Sequence, residues 1–172
     1  MRETSSIQFN SKIHKLEHLV GMHYLEVPKK VIEQLGGKLA IRLLCTVNDS
    51  LTFQCGLMAL GNGKAYISIN AKRMKQLGVK FGSKISVELK KDKSKYGMEM
   101  PKELAELLKQ DAEGMKRFKL LTSGKQRYII YYISMVKSTQ IRIDRAILLI
   151  ENLKRLPIGK ESFREMLGKP AL

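Results

Sequence analysis

The chain repeats itself. Tyr24 and Tyr66, Lys30 and Lys72, Gln34 and Gln76, Leu35 and Leu77, and Gly36 and Gly78 are identical residues 42 positions apart. Val27 with Ile69 and Ile32 with Met74 extend the match. Past an extra FGSK the offset becomes 46, which aligns Lys38, Leu39, Ile41 and Leu43 with Lys84, Ile85, Val87 and Leu89. Each copy reads as a strand, a short helix, a glycine stop and a strand. One copy alone leaves Val27, Ile41, Ile69 and Val87 half covered, so the copies are expected to pack on each other. A closed barrel would cover these side chains and remove the sheet edges.

Around the repeat the period is that of strands. Ile7, Phe9 and Ile13 alternate with Gln8, Asn10, Lys12 and His14, the pattern of a half-buried strand. A strand at MHYLEVP ends at Pro28, which cannot donate to a ladder. One or two helical turns stop at Gly36 and Gly37. KLAIRLLCTV, LTFQCGLMAL and KAYISI follow, joined by the turns NDS and GNG, so five to seven short strands are expected. Cys45 and Cys55 fall on neighbouring strands. A cross-strand bond is geometrically conceivable, but a chain kept reduced favours buried free thiols.

The stretch ISINAKRMKQLGVKFGSKISVEL resembles the AbrB-type double-split β-barrel unit, in which strand, short helix ending in Leu-Gly, glycine turn and strand come from each of two subunits. Here both units lie in one chain. From TVNDS to ISVEL the sequence is similar to a small barrel domain of unknown function that often precedes YdeI-type helical domains. The first copy lacks the Gly-Ser turn between Gly37 and Lys38.

KKDKSK, from Lys90 to Lys95, reads as a linker. Beyond it the period becomes helical. Pro101 suits a helix start, Glu103 and Glu106 favour its dipole, and Leu104, Leu107 and Leu108 make one face. Asp111 is a cap for AEGMKRFKLL, Ser123 with Gln126 reads as a capping box, and Ser138 or Thr139 caps a long helix. Ile143, Ile147, Ile150 and Leu153 form that helix's expected apolar stripe, and Pro157 ends it. Ile129, Tyr132, Ile133 and Val136 read as a core stripe. A last short helix is expected at KESFREML. The spaced motifs MPKEL, FKLLTSGKQR, YYI and KSTQIR resemble the YdeI/OmpD-associated family, also called bacteriocin-protection.

The fold class expected is therefore α+β: an AbrB-like, pseudo-duplicated double-split barrel over residues 1–90, a linker at 91–97 and a helical bundle over 98–172. At 172 residues a chain buries roughly 70% of its unfolded surface and needs no metal or disulfide. Its 32 Lys+Arg and 16 Asp+Glu leave a net charge of +16. Up to Lys93 there are 16 basic and 7 acidic residues, and beyond it 16 and 9, so +9 and +7. A cationic excess spread over both halves favours an anionic partner over a basic tail. Apolar runs such as YIIYYI fall far short of the roughly 20 residues of a membrane span, and the start lacks a signal-peptide pattern. The protein is expected to be cytoplasmic, as a monomer or homodimer.

No set of residues announces chemistry. His14, His18 and His23 lack partners at ligand spacing, so no metal is expected. SGKQ fails as a phosphate-binding loop, because Lys119 stands where its first glycine belongs and Gln126 where Ser or Thr belongs. GNG is a turn. Asp144 is expected to pair with Arg142 and Arg145. Without a convergent constellation the protein is expected not to be an enzyme and to need no cofactor. Tyr128, Tyr131 and Tyr132 beside Lys125 and Arg127 interleave aromatics with cations, although Tyr132 also fits the core. The candidate anion or nucleic-acid contacts are Lys72, Arg73, Lys75 and Lys84 in the repeat, and Lys125, Arg127, Lys137, Ser138, Arg142 and Arg145 in the helical half. The resemblances imply a bacterial stress or bacteriocin-resistance protein that binds a protein or an anionic ligand. The alternative they imply is an AbrB-like DNA-binding protein.

Overall fold

A computed structural model describes residues 6–17 and 21–172, and His18 of the histidine group lies outside the described residues. The chain divides into two units, Met1–Lys93 and Ser94–Leu172.

The first unit holds β1 (Ile7–Lys15), β2 (His23–Val27), α1 (Lys29–Gln34), β3 (Arg42–Val47), β4 (Leu51–Gly56), β5 (Met58–Gly61), β6 (Lys64–Ile69), α2 (Ala71–Leu77) and β7 (Lys84–Lys91). Its strands form an antiparallel half-barrel in the order β4-β3-β7-β1-β2-β6-β5. Only Leu57 separates β4 from β5, the first and last strands of that order. Leu25, Val27, Leu43, Cys45, Val47, Ala65 and Leu89 are completely buried, at alternate positions along their strands as the two-residue period requires.

Strand register ties this sheet to the repeat. β2 pairs with β6 so that Leu25 faces Ile67, its own equivalent at the 42-residue offset. β3 pairs with β7 so that Leu44 faces Lys90, again its own equivalent at the 46-residue offset. In an antiparallel pair, self-equivalent partners mark a local two-fold axis. The helices follow the same logic: α1 stops before Gly36 and Gly37, α2 before Gly78, and all three glycines adopt positive φ, which is open to glycine at little cost. Asn70 caps α2 by accepting from Arg73 N at 2.9 Å.

β7 reaches into the lysine-rich stretch read as a linker. Lys90 and Lys91 pair with β3, and Asp92 N donates to Arg42 O at 2.9 Å. Both side chains stay exposed at the end of the strand, so pairing their backbone does not bury their charge.

Cys45 and Cys55 are free, the first buried and the second half-buried. A hydrogen bond with Cys55, reinforced by burial, pushes the Cys45 thiol well above its ordinary range. Since the thiolate is the reactive form, a thiol reagent is expected to modify Cys55 alone in the native protein and both cysteines after denaturation. Rapid native labelling of Cys45, read by mass spectrometry, would contradict this.

The second unit holds α3 (Lys102–Gln110), α4 (Ala112–Leu120), α5 (Ser123–Ser134), α6 (Thr139–Arg155) and α7 (Phe163–Met166), with α6 packed against each of the others. Asp111 caps α4 (Gly114 N to Oδ1, 2.8 Å) and Ser138 caps α6 (Ile141 N to Oγ, 3.4 Å). The α5 cap is Thr122, not Ser123, and the Gln126 amide donates instead to Phe118 O at 2.8 Å. No Ser123–Gln126 capping box forms. The expected stripe on α6 is also rotated: Ala146, Leu149, Ile150 and Leu153 are buried, while Ile143 and Ile147 are 36% and 46% exposed. The helices packed against α6 cover the arc containing Ala146, which a count of large apolar residues overlooks.

Candidate anion-binding face of the sheet

The polar face of the half-barrel collects side chains from strands distant in sequence. Lys12 on β1 and Lys84 on β7 are Cα partners, as are Asn10 and Ser86. These four, with His14 and Asn48, line a concavity of about 800 Å³. Asn48 adopts a left-handed conformation (φ 51°), and its Oδ1 accepts from Ser86 N at 2.9 Å. Glu26 also borders the concavity but is paired with Lys64 at 2.9 Å.

Like charges directly opposite across strands destabilise a sheet. The Lys12–Lys84 pair is therefore a local cost that a bound anion would relieve. Further along the same strands the sign reverses at Glu88, which Ser6 and Lys90 hold below the ordinary carboxylate range by hydrogen bonds, and Lys90 beyond it is paired with that carboxylate at 3.1 Å.

Rings stand beside these lysines. His14 stacks on Tyr24 with centroids 5.2 Å apart and planes 21° from parallel, and Tyr24 meets Tyr66 at 5.3 Å. Tyr24 and Tyr66 are the repeat's equivalent tyrosines, brought together at the local axis. Met58, the Cα partner of Tyr66 and 57% exposed, extends the row.

Of the residues expected as contacts in the repeat, the structure brings only Lys84 to this face. Lys72 and Lys75 are exposed on α2, whereas Arg73 lies over the Phe53 ring at 4.0 Å. In the helical unit most candidate cations serve structure. Lys125 Nζ pairs with Glu161 at 3.4 Å. Arg142 Nε donates to Val136 O at 2.8 Å, and its Nη1 lies 3.7 Å from Glu103. Arg145 donates to Tyr132 O at 2.7 Å and covers the Tyr132 ring at 4.2 Å. Ser138 is spent on its cap, Arg127 is half-buried and Lys137 is exposed. Asp144 accepts from Gln140 at 2.9 Å rather than pairing with the flanking arginines, because those reach inward to carbonyls. Two of the three α5 tyrosines, Tyr128 and Tyr132, pack edge-on against Phe163, while Tyr131 is exposed.

Lys12, His14, Tyr24 and Tyr66, which the structure gathers on this face, were not among the expected contacts. Alternation places Lys12 and His14 on one face, and the offset equates the tyrosines, but only register makes them neighbours. Among the described residues no group of three or more His, Cys, Asp or Glu is placed to hold a metal, and no helix is long and apolar enough to cross a membrane.

Fold and face together define a class: an α+β chain in which an antiparallel sheet unit with a cation-lined concavity precedes a helical unit. Residues 97–155 match the family model described as Bacteriocin-protection, YdeI or OmpD-Associated. Residues 9–89 match the model of a domain of unknown function, DUF1905. No curated protein matches the chain.

Proposed function

We propose that this is a non-catalytic, cytoplasmic binding protein whose sheet unit holds an anionic ligand between Lys12 and Lys84, acting in resistance to bacteriocins or antimicrobial peptides; the bacteriocin-protection description of the model matched by residues 97–155 supports the first of these. The observation that carries the reading is the placement of two lysines as direct cross-strand partners at one concavity, where a protein selected for stability alone gains by removing one. The sheet unit is a single-chain relative of the AbrB-like double-split barrel. Support for that comes from the self-equivalent pairs Leu25–Ile67 and Leu44–Lys90 and from the passage between the two outer strands through Leu57 alone.

Titration of the full chain with inorganic tripolyphosphate near 50 mM salt tests the site. With each lysine contributing about 1 kcal/mol or more at close range, the Lys12→Gln/Lys84→Gln double variant is expected to bind about tenfold or more weakly. Lys72→Gln/Lys75→Gln is expected to leave affinity unchanged. Undiminished binding by the first variant would sink the proposal. Survival of a strain lacking the protein, challenged with cationic peptides, is the cellular check, and wild-type survival counts against the resistance role.

A second reading, duplex DNA binding, is favoured by the local two-fold axis, since a dyad in the protein suits the dyad of a duplex. It predicts a log–log salt slope of about 0.9 per neutralised phosphate. No duplex binding at low salt removes it.

A further inference from the structure

We propose that the ligand of this face is a phosphate carrying a flat heteroaromatic ring: a nucleotide unit, free or within a single strand. The inference rests on the anion-binding reading above and names what its concavity selects. Phosphate alone needs only Lys12 and Lys84. It does not account for a row of rings on the polar face of the sheet, where they contribute nothing to the core.

His14 and Lys12 lie two residues apart on β1 and so point to the same face, about 7 Å apart along the strand. That spacing is comparable to the separation of base and phosphate within a nucleotide. His14 lines the concavity together with both lysines. Its ring is backed by Tyr24 at 5.2 Å, and Tyr24 in turn by Tyr66, so its orientation is set before a ligand arrives. Base stacking on such rings tolerates any sequence, because every base has a π-face. Asn48, with its oxygen committed to Ser86 N, keeps its amide N–H groups for an acceptor on the ligand. An acidic peptide or a bare polyphosphate would use the lysines and leave the rings idle.

The test compares ATP, tripolyphosphate and a single-stranded oligothymidylate of about twelve residues on the full chain at equal salt. ATP or the oligomer is expected to bind at least about fivefold more tightly than tripolyphosphate. His14→Ala is expected to weaken the tighter of the two by about 5- to 150-fold, with tripolyphosphate changed less than about twofold. His14→Phe, which keeps a ring, is expected to restore affinity, and so separates stacking from loss of fold. Tighter binding of the oligomer assigns the ligand to a strand; tighter binding of ATP assigns it to the free nucleotide. Equal affinity for all three, or a His14→Ala loss shared by tripolyphosphate, overturns this inference and leaves the anion site standing. No binding of any of the three overturns both.

Discussion

Glu161→Ala is expected to lower the stability of the helical unit by about 3–5 kcal/mol. The Glu161 side chain is 4% exposed, and its carboxylate accepts from Gly159 N at 3.0 Å, Arg117 Nη2 at 3.4 Å and Lys125 Nζ at 3.4 Å. Arg117 is itself buried, held otherwise by the carbonyls of Lys154 (3.2 Å) and Leu156 (2.7 Å), with its Nε unpartnered. Removing the carboxylate leaves a buried guanidinium without a counter-charge, which costs more than the pair itself contributes. Replacing both partners by apolar residues, Arg117→Met with Glu161→Leu, is expected to recover most of the loss. Urea unfolding followed by helical circular dichroism measures both. A loss under about 1 kcal/mol for Glu161→Ala would show that the pair does not organise the unit.

The same network sets an acid limit. Burial alone would raise the Glu161 carboxyl, but backbone N–H bonds and Lys125 outweigh it and hold the group below its ordinary range. Asp111 is lowered too, first by Lys154 and then by the Gly114 amide. Both groups ionise more readily folded than unfolded. Their contribution is therefore complete above the ordinary carboxylate range, near pH 4, and is lost as pH falls through the lower folded-state values. Glu161→Gln is expected to flatten that acid loss.

In the sheet unit the largest effect is expected at the local axis. Leu25→Ala and Ile67→Ala each remove a side chain at most 1% exposed from facing positions and are expected to cost about 2–5 kcal/mol. Because the two residues touch the same space, the double variant should depart from the sum of the singles by more than about 0.5 kcal/mol. Additive losses, measured by guanidinium unfolding with near-ultraviolet dichroism as the probe, would mean that the two copies do not share a core at this point.

Much of this architecture is visible in the chain as written. The offsets of 42 and 46 residues place Leu25 on Ile67 and Leu44 on Lys90 before any coordinate exists. The glycine stops of α1 and α2 and the caps Asp111 and Ser138 follow from local chemistry, because a cap acts within three residues of itself. The errors have two causes. Ser123 lost its capping role to the adjacent Thr122, a choice between neighbours within one turn. Ile143 and Ile147 lost their burial to Ala146 and Leu149, and Asp144 lost its arginines to carbonyls, because partners outside the local window decided the outcome.

The candidate site was less legible for the same reason. Lys84 stood in a run of cations with Lys72, Arg73 and Lys75, yet its partner is Lys12, 72 positions away. Sequence by itself determined the duplication, the alternating faces of the strands, the helical second unit and the cationic excess, all properties of short windows or of their repetition. Only the tertiary structure decided which cations are consumed by carbonyls, rings and carboxylates and which stand together. Register between β1, β2, β6 and β7 is set by burial of the opposite face, and that burial carried Lys12, Lys84, His14 and the paired tyrosines to one surface.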